Sequence, residues 1–242
     1  MKKVAIVQAR MTSSRLPGKV LVDLDGAPML AQELRRLRRA TLIDEIVVAT
    51  TANATDDPVE TLAAAEGARV FRGDEHDVLD RFVGAARMVK ADLVVRVTGD
   101  CPLIDPAVVD RVVARAIDRD NPCDYASNTI TRTYPRGLDT EALHRDVLER
   151  IARMATSTPA REHVTYFLHR EHPELFVSCQ ITRDSDASDL RWTVDTDEDL
   201  ALIRRMWSEL GAGDISTDEL IDKVRARPEL IALNSHVEQK KS

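Results

Sequence analysis

The sequence predicts an α/β protein built on a doubly wound, mostly parallel sheet. Short apolar segments alternate with amphipathic segments through the first half of the 242-residue chain, and this alternation is typical of βαβ units. The apolar segments are nearly continuous, as in strands whose two faces are both covered by helices. Since neither a repeat nor a low-complexity linker interrupts the sequence, we expect one domain with a small inserted region.

The first half of the sequence contains four predicted strands joined by helices. The strands are residues 4–9, 43–51, 68–72 and 92–98, and the helices are residues 28–39, a segment that begins at Asp57, and residues 77–91. Asp57 is followed by Pro58, and proline is favoured at the start of a helix. In the third helix Val78, Phe82 and Val89 recur at helical spacing, which predicts one apolar face.

The second half of the sequence is less regular. Its predicted elements are a helix over 106–118, a short strand over 125–127, a loop over 129–139, two helices of which the second begins at Thr158, strands over 176–182 and 190–194, and two closing helices. Ser216 precedes Glu219 by three residues, a pattern that predicts the start of the last helix. We divide the domain into residues 1–122, an inserted region over 123–195, C-terminal helices over 196–234 and a frayed polar tail over 235–242.

The composition argues against several classes of protein. A formal net charge of −7 leaves no general basic surface, which disfavours a nucleic-acid partner. The three cysteines, Cys101, Cys123 and Cys179, are too scattered for a disulfide framework or a CxxC metal site, and they fit a reducing compartment. No apolar run approaches the roughly 18 residues of a membrane span, and no signal peptide precedes the first strand. We therefore predict a cytoplasmic protein without a membrane partner.

The loop after the first predicted strand carries the strongest functional signal. Arg10, Arg15 and Lys19 are interleaved there with hydroxyl side chains such as Ser13. Ligands of doubly wound sheets bind outside the carboxyl ends of the strands, where hydroxyls, backbone N–H groups and fixed cations suit a polyphosphate. The loop has neither the GxxxxGK[ST] nor the GxGxxG pattern. We expect it to bind a nucleoside triphosphate, and the alternative is an ordinary basic surface loop.

Two acidic residues are candidates for a metal site. Asp100 follows the strand over 92–98, and Asp195 follows the predicted strand over 190–194. Mg²⁺ is usually bound by one or two carboxylates, with phosphate and water completing its shell. Asp105 precedes a proline and reads as a helix cap, and residues 197–199 are acidic because a helix begins there. We therefore predict Asp100 and Asp195 as ligands of Mg²⁺.

Four segments resemble the cytidylyltransferase family, which includes the enzymes that activate sialic acid and ketodeoxyoctonate. They are Gln8–Lys19, Phe71–Arg81, Thr98–Leu103 and Arg191–Asp195. The segments occur in the family's order along nearly the whole chain, and they are most similar to the spore-coat polysaccharide (SpsF-like) branch. The resemblance implies a Rossmann-like, glycosyltransferase-A-like nucleotidyltransferase fold, a role in polysaccharide biosynthesis and a homodimer.

The resemblance also implies an activity, which is the transfer of CMP from CTP to an acceptor with release of pyrophosphate and with Mg²⁺ as cofactor. Lys19, Arg10 and Arg15 would be the catalytic cations that hold the triphosphate, and residues 1–122 would be the nucleotide-binding half. The implied nucleotide-binding residues are Gln8, Ala9, Arg10, Ser13, Arg15, Lys19, Arg72, Gly73, Asp77, Arg81 and Thr98.

The inserted region over 123–195 is predicted to bind the acceptor and to form the dimer contact around Trp192. The segment Tyr134–Glu141 resembles the family segment that contacts the acceptor, and a helix start with exposed cations suits an anion. The predicted acceptor-binding residues are Arg136, Asp139, Glu141 and His163. Arg10–Ser13 departs from the Arg-Gly-Gly-Ser loop of the sugar-acid branch, so the acceptor stays open among sugar acids, sugar phosphates, phosphonates and amino acid derivatives.

Three alternatives remain at this stage. The first is the same chemistry with GTP or UTP as donor. The second is a glycosyltransferase that uses a nucleotide sugar, which is disfavoured because Cys101 and Pro102 follow Asp100 where an Asp-x-Asp metal motif is usual. The third is a nucleotide-binding module without catalysis.

Overall fold

The computed structural model describes residues 1–239 and contains nine strands. The strands are β1 (Lys3–Gln8), β2 (Asp23–Leu24), β3 (Ala27–Pro28), β4 (Glu45–Thr51), β5 (Arg69–Gly73), β6 (Leu93–Thr98), β7 (Tyr125–Ser127), β8 (Glu141–His144) and β9 (Ser178–Gln180). The helices are α1 (Met29–Leu37), α2 (Asp57–Ala65), α3 (Val78–Met88), α4 (Pro106–Ala116), α5 (Arg145–Met154), α6 (Thr158–Glu162), α7 (Asp197–Leu210), α8 (Thr217–Arg225) and α9 (Pro228–Ile231).

Seven of these strands form one sheet in the order β5-β4-β1-β6-β8-β7-β9, and β2 pairs with β3 in a separate hairpin. Strand β1 lies between β4 and β6 and is parallel to both. Only β8 runs against its neighbours, β6 and β7. The predicted mostly parallel α/β fold is therefore confirmed, and the carboxyl ends of β1, β4 and β6 lie at one edge of the sheet.

Two apolar layers cover the sheet, because successive side chains of a strand point to opposite faces. Ala5 and Val7 face a layer formed with α1, α4, α7 and α8. Val4 and Ile6 face a layer formed with α3 and α5. Full burial of a Val or Ile side chain stabilises the fold by about 1.5–3 kcal/mol, so the central strand is held firmly from both sides.

The inserted region departs from prediction at two places. Residues 190–194 form no strand: Arg191 makes a single isolated bridge with Arg136, through bonds from Arg136 N to Leu190 O at 3.0 Å and from Trp192 N to Arg136 O at 2.7 Å. Strand β8 was not predicted, because it follows directly on a polar loop. Trp192 is 1% exposed, so its side chain packs inside the fold, and a dimer contact of the inserted region stays a prediction that rests on other residues.

The last described residues belong to the end of the predicted C-terminal helices and to the predicted tail. Asn234 is buried, whereas residues 235–239 of the tail are exposed or half-buried. Gln239, in that tail, accepts a hydrogen bond from Arg191. Residues 240–242 of the predicted tail lie outside the described part of the chain. In residues 1–239 no helix has the length and apolar character to cross a membrane.

Candidate active site

A cleft of about 950 Å³ opens at the carboxyl edge of the sheet, beside the ends of β1 and β6. Its walls are the loop after β1, the turn after β6 and parts of the inserted region. Thirteen of the predicted site residues line it, and these are Gln8, Ala9, Arg10, Ser13, Arg15, Lys19, Thr98, Asp100, Arg136, Asp139, Glu141, His163 and Asp195. The fold therefore brings segments more than 170 positions apart in sequence into one site.

Lys19 lies at the centre of the charged part of the cleft. Its ammonium donates to Asp100 Oδ2 at 2.9 Å, to Asp195 Oδ1 at 2.9 Å and to Val194 O at 2.8 Å. Burial alone would lower the pKa of Lys19, but the charges of Asp100 and Asp195 outweigh it and raise the pKa above its ordinary value. Lys19 therefore stays charged through the neutral pH range.

The backbone explains why Lys19 points into the cleft. Gly18 has a φ of +73°, a left-handed conformation that glycine adopts without strain. Gly18 N donates to Met11 O at 2.9 Å, which closes the loop and starts a 3-10 turn over Lys19–Leu21. The loop after β1 is therefore shaped by its own backbone bonds.

The two acidic residues belong to neighbouring turns. A Cβ on Gly99 would lie 3.1 Å from Gln8 O and 3.0 Å from Ala9 Cβ, so the glycine lets the turn carrying Asp100 approach the end of β1. Val194 N donates to Asp100 O at 2.9 Å and ties this turn to the one that carries Asp195. Burial opposes ionisation of Asp100, but the charge of Lys19 outweighs it and lowers the pKa of that carboxyl.

The other two cations of the loop also contact carboxylates. Arg15 Nη2 lies 2.8 Å from Asp195 Oδ2, and Arg10 Nη1 lies 3.3 Å from Glu75 Oε1. Each cation predicted to hold the triphosphate thus has an acidic partner within the protein. Positive and negative side chains thus lie next to each other on the wall of the cleft formed by the loop after β1. This arrangement suits a polyanion that binds together with a metal cation.

The geometry fits a divalent metal that is held partly by substrate. One ammonium, that of Lys19, touches both Asp100 and Asp195, so the two carboxylates are close enough to share one cation. Within residues 1–239, this site included, no group of three or more His, Cys, Asp or Glu side chains is placed to hold a metal, so the protein would supply only these two carboxylates. Two carboxylates with substrate oxygens and water are the ligand set that Mg²⁺ accepts.

The side of the cleft that carries the predicted acceptor-binding residues is arranged differently. Asp139 is held by Arg132 through two bonds of 2.5 and 2.7 Å. Glu141 accepts from Arg96 Nη1 at 2.6 Å and from Thr165 Oγ1 at 2.6 Å, so both of its oxygens are engaged. These contacts leave neither carboxylate as an unpaired acceptor for a ligand.

Arg136 and His163 are the members of the predicted acceptor set without such partners. In the part of the chain that the structure describes, the Arg136 side chain makes no hydrogen bond or ion pair. Burial lowers the pKa of Arg136, although a guanidinium remains charged at neutral pH. Burial also lowers the pKa of His163, so its imidazole is mainly neutral at pH 7.

Four predicted nucleotide-binding residues lie outside this cleft. Arg72 is engaged by Asp57 and Glu60, each at 2.7 Å. Asp77 caps α3 by accepting from Asp80 N at 2.9 Å and also pairs with Arg161. The other two, Gly73 and Arg81, pack against each other, since a Cβ on Gly73 would lie 2.8 Å from Arg81 Cγ. The structure does not bring these side chains among the cleft residues.

Arg81 is nevertheless unusual. It is 1% exposed, and none of its three guanidinium nitrogens has a hydrogen-bond partner among the described residues. Burial lowers its pKa, and the nearby positive charge of Arg10 lowers it further. Because an unpaired buried cation is costly by several kcal/mol, Arg81 is a donor that a ligand or water would satisfy.

Some residues that line the cleft were not predicted, among them Arg96, Arg132 and His169. Arg96 had a signal in the sequence, because it is a charged residue inside the apolar run of β6. Arg132 and His169 had none, because they lie in irregular segments whose position depends on tertiary packing. The imidazole ring of His169 stacks on the ring of Tyr125, with 6.3 Å between the ring centroids. This contact joins residues that are 44 positions apart in the chain.

The fold is shared with solved structures. A cytidylyltransferase from Leptospira borgpetersenii aligns over 100% of both chains, with a TM-score of 0.92 and 31% sequence identity. CMP:2-keto-3-deoxy-manno-octonic acid synthetase complexed with CTP aligns over 87% of this chain and 100% of its own, with a TM-score of 0.66 and 23% identity. Fold and charged cleft together define a nucleotidyltransferase.

The sequence identifies the family more closely. Residues 4–221 match the family described as Cytidylyltransferase, and the chain belongs to this family. The spore coat polysaccharide biosynthesis protein SpsF of Bacillus subtilis is 35% identical over 232 residues, which cover 93% of this chain and 94% of SpsF. The predicted family and the prediction of an enzyme are thus confirmed.

Proposed function

We propose that this enzyme transfers CMP from CTP to an anionic small-molecule acceptor and releases pyrophosphate. The observation that carries the proposal is the contact of Lys19 with Asp100 and Asp195 at the carboxyl edge of the sheet. This arrangement places a fixed cation and two carboxylates where a triphosphate and its metal would bind. Membership of the cytidylyltransferase family supports CTP as the donor.

Mg²⁺ would be held by Asp100 and Asp195, and when bound it would neutralise phosphate charge and help to align the triphosphate. Lys19, Arg10 and Arg15 would bind the phosphate oxygens and stabilise the negative charge that grows on the departing pyrophosphate. In preorganised sites one such donor is worth about 3–4 kcal/mol in the transition state. Arg15 would connect the phosphate-binding cations to the metal site, because its ion-pair partner is Asp195.

The remaining nucleotide contacts follow from the ends of the central strands. Gln8, Ala9, Ser13 and Thr98 line the cleft beside the phosphate-binding loop. The buried side-chain oxygen of Gln8 has no hydrogen-bond partner within residues 1–239, and we assign it to the nucleotide. We leave Arg72, Gly73, Asp77 and Arg81 out of these contacts, because they do not line the cleft.

The acceptor would bind across the inserted region. Arg136 offers a guanidinium that no described carboxylate neutralises, and this geometry suits a carboxylate, phosphate or phosphonate. His163 would contribute a neutral imidazole. Asp139 and Glu141 would act by holding Arg132 and Arg96 in place. An acceptor whose attacking oxygen is itself anionic, such as a phosphate oxygen, needs no general base, whereas an attacking hydroxyl must lose its proton, and a bound metal would lower the pKa of that hydroxyl. Among the described residues of the cleft no side chain is placed as an evident base.

The proposal is tested by mixing the enzyme with CTP, Mg²⁺ and a panel of sugar acids, sugar phosphates and phosphonates, and measuring pyrophosphate. We expect release only in the presence of one acceptor class, together with a new CMP conjugate. Matched reactions with GTP or UTP in place of CTP show which nucleobase the enzyme accepts in the donor. Absence of pyrophosphate release with CTP across the whole panel, or turnover of a nucleotide sugar instead, would contradict the proposal.

We also propose a homodimer, which the family resemblance implies. Light scattering would give twice the chain mass of 27.0 kDa if the proposal is correct. A single chain mass at micromolar concentration would contradict it.

A further inference from the structure

We propose that the C-terminal segment over 234–239 is part of the active site, with Asn234 as a positioning residue for Asp195. Asn234 acts through Arg191 and Asp199, which together fix the turn that carries Asp195. The inference rests on the proposed function, because it assigns Asp195 to the metal. The sequence pattern does not show this contact, because it predicts only a polar tail after residue 234.

Arg191 is the first link between Asp195 and the C-terminal segment. Its Nη2 donates to Asp195 Oδ2 at 2.8 Å, and its Nε donates to Asp199 Oδ1 at 2.8 Å. Arg191 therefore joins the candidate metal ligand to a second carboxylate one helical turn later. Arg15 contacts the same oxygen of Asp195, but Arg15 lies in the phosphate-binding loop and would be shared with the substrate.

Asp199 is the second link, and it is completely buried. Its Oδ2 accepts the backbone N–H of Asp195 at 2.9 Å and that of Thr196 at 3.2 Å. The Thr196 hydroxyl accepts in return from Asp199 N at 3.3 Å, which forms a capping box at the start of α7. The backbone on which Asp195 sits is thus held by Asp199 directly.

Asn234 closes the network from the far end of the chain. It is 4% exposed, and its amide nitrogen donates to Asp199 Oδ1 at 2.8 Å and to Arg191 O at 3.0 Å. Both protons of that nitrogen are therefore used. Gln239 accepts from Arg191 Nη1 and lines the cleft itself, so the segment reaches the site at two points.

This network explains how Asp195 keeps its place while the substrate binds. A phosphate that draws Lys19 and Arg15 away would leave Arg191 as the remaining cation on Asp195. Arg191 cannot follow, because Asp199 and Asn234 hold its guanidinium and its backbone. Some residues hydrogen-bond to a metal ligand without touching the metal. Their removal typically lowers metal affinity or activity by 10–100-fold.

The test compares Asn234→Leu with wild type in three measurements. These are kcat at saturating CTP, the Mg²⁺ concentration for half-maximal rate, and Mn²⁺ binding to the enzyme with CTP by electron paramagnetic resonance. We expect about tenfold weaker metal binding and lower kcat, with the acceptor KM unchanged. Leu148→Ala is the matched control, because Leu148 is fully buried in the layer on the opposite face of the sheet.

A merely structural role would lower the melting temperature of both variants and leave metal binding unchanged in both. That result, or equal loss of metal binding in both variants, would overturn the inference. If Asn234→Leu does not fold, Gln239→Ala takes its place in the test. Weaker Mn²⁺ binding by Gln239→Ala supports the inference, and Mn²⁺ binding equal to that of wild type overturns it. Wild-type enzyme that binds Mn²⁺ with CTP but releases no pyrophosphate would refute the proposed function and leave this test valid.

Discussion

The two halves of the cleft differ in how their charges are paired. On the side that we propose for the nucleotide, here called the nucleotide side, Arg10, Arg15 and Lys19 each contact a carboxylate. On the side that we propose for the acceptor, here called the acceptor side, Arg136 has no such partner among the described residues, whereas Asp139 and Glu141 are already held by arginines. The nucleotide side is thus preorganised by the protein itself, and the acceptor side keeps a cation available for an anion from outside.

The difference also follows from the elements that build each half. The nucleotide side is formed where parallel strands end, and backbone bonds from Gly18 and Val194 fix its turns. The acceptor side is formed by loops of the inserted region, whose shape depends on packing. We therefore expect substitutions on the first side to impair the reaction itself, and substitutions on the second to change which acceptor is used.

The largest expected effect is that of Lys19→Ala. Loss of the ammonium removes a phosphate ligand and leaves Asp100 and Asp195 facing each other without a shared cation. We expect kcat to fall by about 100–1000-fold, measured as pyrophosphate release at saturating CTP. Lys223→Ala is the control, because Lys223 lies on the surface and pairs with Glu219. Normal turnover by Lys19→Ala would contradict the assignment.

Asp100→Asn should have the next largest effect and should act through the metal. The amide keeps the shape of the side chain but loses its charge, so we expect the half-saturating Mg²⁺ concentration to rise by about 10–100-fold. Metal titration of the rate at fixed CTP measures this change. Asp110→Asn is a suitable control, because Asp110 binds Thr41 and Leu42 away from the cleft. If both variants depend on the Mg²⁺ concentration in the same way, Asp100 is not a metal ligand.

Arg136→Ala should distinguish the two halves most directly. Removal of the unpaired guanidinium should raise the acceptor KM by about tenfold, since a charge-assisted hydrogen bond is worth roughly 1.5–3 kcal/mol. The KM for CTP should stay within twofold. Both constants come from one set of pyrophosphate assays. A change in the CTP constant instead would place Arg136 on the nucleotide side.

The smallest expected effect is on the acid dependence of stability. The pKa of Asp100 is lowered in the folded protein, so its ionised form favours folding. This contribution is fully present above its unfolded pKa, near 3.9, and is lost as the pH falls through the lower folded value. Thermal unfolding from pH 7 to about pH 3 should therefore show a shallower acid decline for Asp100→Asn than for wild type. Parallel curves would contradict the lowered pKa.

The sequence predicted the charged loop at the edge of the sheet, for a local reason. An apolar run followed by a loop with Arg10, Arg15 and Lys19 shows both the strand and the cations at its carboxyl end, because the two are adjacent in the chain. The same holds for Asp100 after β6. Arg72 and Asp77 lie in a family-like segment, yet their side chains are engaged by neighbouring helices, which the local pattern does not show.

By itself, the sequence determined the parallel α/β fold, the family and the charged loop after β1. Each of these depends on residues close together in the chain, where periodicity and composition carry the information. Only the tertiary structure decided that Lys19 meets both Asp100 and Asp195, that the Arg136 side chain has no partner within residues 1–239, and that Asn234 is buried behind Asp195. Such pairings join residues far apart in sequence, and the packing of the whole sheet and its helices selects them.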